Sequence, residues 1–159
     1  MKIGLLGAGR IGRIHGGNIA AHPRARLAAV ADADAAAAQR LAASGGATIS
    51  SVDAIIADRD IDAVVICTPT DTHADLIERA VRAGKSVFCE KPLAMDAAEA
   101  FEMWRAAAAA NAVNQAAFVY RFVPALRHAR DLIRGGAIGE VTHFRSEYEW
   151  NATITLRTP

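Results

Sequence analysis

The sequence has few cysteines, little net charge and no long apolar run. Its 159 residues include two cysteines, and 18 basic residues nearly balance 17 acidic ones, which gives a formal net charge of +1. A balance near zero gives no sign of the basic surface that nucleic-acid-binding proteins use, so no nucleic-acid partner is expected. The apolar stretches are too short to cross a bilayer, and Met1 and Lys2 lead directly into a predicted strand instead of a signal-peptide segment. We therefore expect a cytoplasmic protein without a membrane partner.

The two cysteines, Cys67 and Cys89, each close an apolar run. In a cytoplasmic chain, such residues are expected to be reduced, buried thiols that pack as small apolar side chains. The sequence therefore predicts no disulfide, and it predicts no metal site.

Short apolar runs alternate with helical patterns along most of the chain, which is typical of a parallel sheet with helices on both faces. The fold class predicted is α/β, a Rossmann-type doubly wound sheet. Ile11, Ile14 and Ile19 are expected to form the apolar face of the first helix. The predicted strands cover residues 3–6, 27–31, 47–49, 63–67, 86–89 and 113–119, and helices after the first are predicted at 35–43, 52–57, 71–83 and 96–110.

The most informative motif is Gly7-Ala8-Gly9-Arg10-Ile11-Gly12, which follows the first strand and opens the first helix. This strand-turn-helix context is what the GxGxxG motif requires for dinucleotide binding. Gly7 permits the sharp turn, Gly9 lets a pyrophosphate approach the backbone, and Gly12 allows close packing of helix on strand. A pyrophosphate would lie at the N-terminus of the helix, where free N–H groups and the helix dipole favour negative charge.

Asp32 ends the second predicted strand, and this position favours NAD as the cofactor. A carboxylate about twenty residues after the glycine motif can accept hydrogen bonds from the ribose hydroxyls of the adenosine half. The 2′-phosphate of NADP would be repelled by Asp32 and by the nearby Asp34. The alternative is that one of these two residues only caps the next helix. We assign the cap to Asp34 and the ribose to Asp32.

Two further segments follow predicted strands at the edge where open parallel sheets bind ligands. They are Cys67-Thr68-Pro69-Thr70-Asp71-Thr72-His73 and Glu90-Lys91-Pro92. Together with the N-terminal glycine motif, they resemble the glucose-fructose oxidoreductase and inositol dehydrogenase (Gfo/Idh/MocA) family, and most of all its inositol dehydrogenases. The resemblance extends from Met1 to about Tyr148.

This resemblance implies hydride transfer between a polyol or sugar carbinol carbon and the nicotinamide ring of NAD. Lys91 would be the catalytic lysine, hydrogen-bonded to the reacting hydroxyl, and Glu90 would help to position it. Thr68, Pro69 and His73 would border the nicotinamide half of the cofactor, while Arg10 and Ile11 would contribute at the glycine turn. The cofactor-binding residues implied are thus Gly7, Gly9, Arg10, Ile11, Gly12, Asp32, Thr68, Pro69, His73 and Glu90.

Simpler interpretations of several of these residues remain open. Glu90 and Lys91 could be an ordinary solvated pair before a proline that sets a turn. His73 could simply lie in the first turn of its helix. His15 is expected to be a histidine on the surface of the first helix.

The resemblance also implies a domain division. Residues 1–119 would form the NAD-binding Rossmann domain, and residues 120–159 would supply the crossover helix and first strand of a truncated α+β substrate domain. Residues 141–148 alternate as that strand should. A lone strand leaves its backbone groups unpaired, so self-association through this strand is expected. The Asp-x-x-x-His segment that usually supplies the acid/base histidine in the family has no counterpart, and neither His128 nor His143 matches its context.

Three functional readings therefore remain open. The chain could be a shortened form or fragment of a polyol or sugar dehydrogenase, a catalytically silent NAD-binding module, or a fold without a ligand. The glycine turn together with Asp32 argues against the last. Lys91 favours descent from an enzyme, whereas the missing histidine argues against turnover by this chain alone.

Overall fold

The computed structural model describes residues 1–147, and they fall into two compact units that divide after Phe118. The first unit contains one six-stranded sheet of order β3-β2-β1-β4-β5-β6, in which every neighbouring pair is parallel. Such an order, with the chain starting at the centre and winding outward both ways, is that of a Rossmann fold. The strands are β1 (Lys2–Leu6), β2 (Arg26–Ala31), β3 (Thr48–Ile49), β4 (Ala63–Ile66), β5 (Ser86–Cys89) and β6 (Asn114–Ala116).

The helices of the first unit connect these strands on both faces of the sheet, and three of them begin after a residue whose side chain caps the helix. The side chain of Asp34 accepts from the amides of Ala36 and Ala37, so the assignment of the cap to Asp34 is confirmed. Ser51 and Asp96 cap the next two such helices in the same way. The helices are α1 (Arg10–Ala21), α2 (Ala35–Gly45), α3 (Val52–Ala57), α4 (His73–Arg82) and α5 (Ala97–Ala109).

Two apolar clusters cover the two faces of the sheet, because successive strand residues point to opposite sides. Leu6 and Ile66 belong to the cluster packed against α3, α4 and α5, whereas Leu5 and Val65 belong to the one packed against α1 and α2. Leu5, Leu6 and Ile66 are fully buried. This two-sided burial explains why the central strands are continuous apolar runs instead of alternating ones.

The buried face of α1 differs from the prediction. Ile14 is exposed, and the face against the sheet is formed by Gly12, Gly16 and Ile19, at i, i+4 and i+7. A β-carbon added to Gly16 would lie 2.8 Å from a methyl carbon of Leu41. Small residues thus bring α1 close to its neighbours, a requirement that a search for large apolar side chains does not detect.

Two other elements are shorter than predicted. The segment predicted as a helix from residue 71 is divided into a 3₁₀ turn, Thr70–Thr72, and the α-helix His73–Arg82. That helix stops as predicted at Gly84, which has a φ of +73°. Strand β6 spans only Asn114–Ala116, and residue 119 already begins another 3₁₀ turn.

The second unit contains the 3₁₀ turn Val119–Phe122 and the helix α6 (Pro124–Arg134). Residues 141–147 form no strand in the part of the chain that is described, so the strand prediction is wrong for these seven residues. A strand needs a paired neighbour to complete its hydrogen bonds, and alternation of side chains does not provide one. The last residue of the predicted strand, Tyr148, lies outside the described residues. No helix in residues 1–147 is long and apolar enough to span a membrane.

Candidate functional site

The predicted site residues converge on one edge of the sheet, beyond the carboxyl ends of β1, β2, β4 and β5. Asp32, after β2, accepts a hydrogen bond from the amide of Ala8 in the glycine turn, at 2.5 Å. Gly7, after β1, lies directly against the backbone of Cys67 and Thr68, after β4. Since parallel strands all end at the same edge, this is where an open sheet binds ligands.

Each glycine of the motif has a different steric role. Gly7 has a φ of +97°, and a β-carbon there would lie 2.6 Å from the carbonyl carbon of Cys67. A β-carbon on Gly12 would lie 1.9 Å from the carbonyl oxygen of Gly7. Gly9 is the exception, because a β-carbon there would meet nothing within 4 Å. Folding therefore requires glycine at positions 7 and 12, and it leaves an open space above Gly9.

That open space adjoins the N-terminus of α1, whose first two residues are Arg10 and Ile11. Gly9 is the N-cap, and no side chain caps the helix; its first turn contains no acidic residue. The first N–H groups of a helix have no partner within it, and the helix dipole adds positive potential there. The turn can therefore take an anion, and the residues present fit the pyrophosphate of a dinucleotide.

Asp32 is held in place by the backbone on two sides. Its Oδ2 accepts from the Ala8 amide and its Oδ1 accepts from the Asp34 amide at 2.7 Å. Each carboxylate oxygen has a second lone pair, so the half-buried side chain can still accept hydroxyl hydrogens. An oriented carboxylate beside the glycine turn suits the ribose of an adenosine and disfavours a phosphate in the same place.

The turn after β4 is held by threonine hydroxyls. The Oγ1 atoms of Thr68 and Thr72 lie 2.7 Å apart, and the Thr72 hydroxyl also donates to the carbonyl oxygen of Pro69 at 2.7 Å. Pro69 itself is exposed at the edge, whereas Thr68 is half-buried. The sequence indicated Thr68 and Pro69 but not the part that Thr72 plays in shaping their turn.

His73 lies behind this surface. It is 1% exposed, and both of its ring nitrogens contact the protein. Nε2 is 3.0 Å from the carbonyl oxygen of Thr68, and Nδ1 is 3.0 Å from that of Pro92 and 3.3 Å from that of Leu93. The ring thus connects the turns after β4 and β5 from inside, and it does not line the exposed edge.

Glu90 is a buried carboxylate, 7% exposed, that contacts two elements at once. Its Oε1 lies 2.8 Å from Nε2 of His15 on α1, and its Oε2 accepts from the backbone amide of Lys91 at 3.0 Å. The His15 ring also packs edge-on against Phe88, with ring centres 5.1 Å apart. The reading of Glu90 as an ordinary solvated residue is therefore wrong, and so is the expectation that His15 lies on the helix surface.

Lys91 combines a fixed backbone with an exposed side chain. The backbone amide of Lys91 donates to Glu90. A cis peptide bond joins Lys91 to Pro92, and the carbonyl oxygen of Pro92 contacts the His73 ring. Among the described residues, no acceptor is recorded for the Lys91 ammonium. A lysine held in this manner can direct a charged donor toward a ligand without first breaking an internal hydrogen bond.

The thiols at this edge are poor nucleophiles. Burial, aided by the negative charge of Glu90, raises the pKa of Cys67 and of Cys89 from an ordinary 9.0 to about 12. Both are free thiols and stay protonated at neutral pH. Protonated thiols do not suit a covalent role for cysteine at this site. The exposed ammonium of Lys91, in contrast, is available to donate a hydrogen bond to a ligand.

The sequence contains a signal for the position of His15. The glycine positions that pack α1 against its neighbours also define its inner face, and His15 lies three residues after Gly12 on the flank of that face. A polar residue there needs a partner on the sheet. No comparable signal reveals that the partner is Glu90, which is 75 residues away in sequence.

Residues 1–118 match the model of an oxidoreductase family with an NAD-binding Rossmann fold, the Gfo/Idh/MocA family. The chain belongs to this family. The predicted family, the α/β Rossmann fold and NAD as the family's cofactor are thereby confirmed. Within residues 1–147, no group of three or more acidic, histidine or cysteine side chains is arranged to hold a metal ion.

Three relatives illustrate the membership. The chain is 47% identical over 159 residues to an inositol 2-dehydrogenase of Rhizobium meliloti (strain 1021), covering 100% of this chain and 46% of the relative. It is 34% identical over 148 residues to the scyllo-inositol 2-dehydrogenase (NAD(+)) of Bacillus subtilis (strain 168), covering 91% of this chain and 43% of the relative. The crystal structure of scyllo-inositol dehydrogenase from Lactobacillus casei with bound NAD(H) and scyllo-inositol superposes with a TM-score of 0.82, at 35% identity, over 89% of this chain and 43% of that one.

Two facts about extent follow from these alignments. The family resemblance was expected to end near Tyr148, and that expectation is wrong, because the alignment to the Rhizobium relative includes all 159 residues. The chain spans about half the length of the curated relatives it matches.

Proposed function

We propose that this chain is the cofactor-binding half of an NAD-dependent inositol or sugar dehydrogenase, in which hydride passes between a polyol carbinol carbon and nicotinamide. The observation that carries the proposal is the junction at Glu90. This buried carboxylate joins the helix that begins at the glycine turn to the backbone of Lys91. A pyrophosphate site and an exposed lysine are thus held at a fixed distance on one edge, as a dinucleotide reaction requires.

Cofactor binding is assigned to residues after β1, β2 and β4. The pyrophosphate would lie over Gly9 on the amides that begin α1, including those of Arg10 and Ile11, and the adenosine ribose would donate to Asp32. Thr68 and Pro69 would border the nicotinamide half. When bound, NAD supplies the ring that accepts the hydride.

Lys91 is assigned the substrate hydroxyl. Its Nζ would hydrogen-bond the hydroxyl oxygen and stabilise the negative charge that develops there as the proton departs. Glu90 would fix where the lysine chain begins and would not itself contact the substrate. Polyols and sugars are the substrate class proposed, by analogy with the inositol dehydrogenases that the chain resembles.

The proposal also includes a cellular location and self-association. A cytoplasmic location agrees with free thiols at Cys67 and Cys89. Self-association is proposed because the second unit exposes apolar side chains, among them Phe122, Leu126 and Phe144. Light scattering coupled to size-exclusion chromatography tests it, and a monomer at all concentrations would contradict it.

The first experiment is a fluorescence titration with NADH of the wild-type chain, Gly9→Ala and Gly17→Ala. Neither substitution meets an atom within 4 Å, and both positions are exposed, so both variants should fold. We expect Gly9→Ala to weaken NADH binding at least about tenfold, a loss of roughly 1.4 kcal/mol, because its methyl group would occupy the pyrophosphate position. Gly17→Ala should bind as the wild type does. Equal affinities for all three proteins would contradict the proposed site.

The second experiment compares NADH with NADPH in the wild type and Asp32→Ala. The wild type should prefer NADH, because the 2′-phosphate would approach a carboxylate. In Asp32→Ala the preference should shrink about tenfold, from weaker NADH binding and relief of repulsion toward NADPH together. An unchanged preference would remove Asp32 from the cofactor site.

A further inference from the structure

One buried histidine has a hydrogen-bonding arrangement that the proposed function does not use. Every polar atom recorded against the His73 ring is a backbone carbonyl oxygen: that of Thr68 at Nε2, and those of Pro92 and Leu93 at Nδ1. A carbonyl oxygen only accepts hydrogen bonds. In these contacts the histidine ring is therefore the donor.

The ring lies between two turns, with Nε2 3.0 Å from the Thr68 carbonyl oxygen and Nδ1 3.0 Å from that of Pro92. Because the ring is 1% exposed, no bulk water competes for these contacts. Removing the ring would leave buried carbonyl oxygens without their partner, which is costly. His73 therefore joins the two turns from inside.

The two turns that His73 connects are those that flank the proposed nicotinamide position. Thr68 belongs to the turn after β4, and Pro92 directly follows Lys91. The amide on the other side of Lys91 is already bound by Glu90. With Pro92 bound as well, the lysine backbone is held both before and after its α-carbon.

Resting on the proposed function, we propose that His73 is a positioning residue for Lys91, whose ring binds carbonyl oxygens of the turns after β4 and β5 and so holds the two turns together. It touches neither cofactor nor substrate. Its effect passes through the carbonyls of Thr68 and Pro92 to the place where the nicotinamide half lies.

The first test needs no cofactor. Hydrogen–deuterium exchange of the backbone amides reports how often a segment opens. In His73→Phe, which keeps a ring and removes both nitrogens, we expect the Lys91 amide to exchange at least about tenfold faster than in the wild type, with the amides of β1 unchanged. The exposed His128→Phe is the control and should leave both unchanged. Unchanged exchange at Lys91 in His73→Phe would overturn the positioning role.

The second test separates positioning from general damage to the fold. NADH and ADP-ribose share the groups that would contact Gly9 and Asp32, but ADP-ribose lacks nicotinamide. In His73→Phe we expect NADH affinity to fall about tenfold, equivalent to about 1.4 kcal/mol, with ADP-ribose affinity within twofold of the wild type. The control His128→Phe should change neither affinity.

The outcomes distinguish the two proposals. Equal losses for NADH and ADP-ribose in His73→Phe, or no loss for either, would overturn the positioning role. Failure of the wild type to bind NADH would instead overturn the proposed function, and the exchange measurement would still decide whether His73 holds the backbone of Lys91. If His73→Phe does not fold, His73→Leu, which also lacks a donor, takes its place in both measurements.

Discussion

Strand β5 has a lysine just before it and another just after it, and the two are held in opposite ways. Lys85, at the amino end, is 5% exposed, and its ammonium donates to the carbonyl oxygen of Ile61 at 2.7 Å and to that of Asp58. Lys91, at the carboxyl end, has its backbone bound and its ammonium exposed. The lysine at the amino end of β5 therefore binds backbone carbonyls inside the protein, whereas the lysine at the carboxyl end leaves its ammonium available to a ligand.

The difference follows from what surrounds each strand end. At the amino end, the carbonyl of Asp58 is at the C-terminus of α3, where the helix dipole favours a cation. At the carboxyl end, the neighbouring backbone is occupied by His73 and Glu90, which bind main-chain atoms and leave the lysine side chain unused. A buried charge with partners serves stability, and an exposed charge on a fixed backbone can serve chemistry.

The largest expected effect is on stability at the amino end. Lys85→Met should lower the free energy of unfolding by about 3 kcal/mol, because it leaves two carbonyl oxygens without their charged donor in a buried place. Lys91→Met is the matched control and should change stability by less than about 0.5 kcal/mol. Urea unfolding followed by circular dichroism measures both. Equal effects of the two substitutions would remove the distinction between the edges.

A second prediction uses the fact that the chain has three lysines, at positions 2, 85 and 91. Brief acylation of the folded chain, read by mass spectrometry, should modify Lys2 and Lys91 and leave Lys85 at least about tenfold slower, since its ammonium reacts only after local opening. Acylation in urea should remove the difference. Rapid modification of Lys85 in the folded chain would contradict its burial.

The prediction with the smallest effect at neutral pH concerns a thiol at the carboxyl end. Because the folded-state pKa of Cys89 is raised to about 12, the unfolded chain loses its thiol proton first as the pH rises above 9. Stability contributed by this thiol is complete below pH 9 and is lost progressively toward pH 12. The decline in unfolding free energy across that window should be shallower in Cys89→Ala than in the wild type. Parallel declines would show that the thiol is not the titrating group.

Much of this fold is predictable because it depends on local patterns. Apolar runs gave the central strands, Asp34 was identified as a cap, and Gly84 marked the end of α4. The contacts that define the site are of another kind. His15 with Glu90, and His73 with Pro92, join residues that are 75 and 19 positions apart. Nothing in the spacing of either histidine specifies its partner. The sequence therefore predicted that the site lies at the carboxyl ends of the strands, but it did not predict the hydrogen bonds that hold the site together.

The sequence predictions that the structure contradicts have a similar origin. Residues 141–147 have the alternation of a strand, yet a strand exists only through its neighbour. Ile14 has the character of a core residue, but its direction is set by the glycines that define the inner face of α1. Burial of Lys85 was not anticipated at all, because the carbonyls that bind its ammonium belong to a turn more than twenty residues earlier.

Gly9 has an implication for how substitutions in this chain would be selected. A library sorted only for folded protein should retain many residues at position 9, as at position 17, because neither position has a close neighbour. The same library should remain almost invariant at positions 7 and 12. A second sort for retention on an immobilised dinucleotide should then restore glycine at position 9 while position 17 stays variable. The three glycines of one motif would thus record two separate histories of selection, one for folding and one for function.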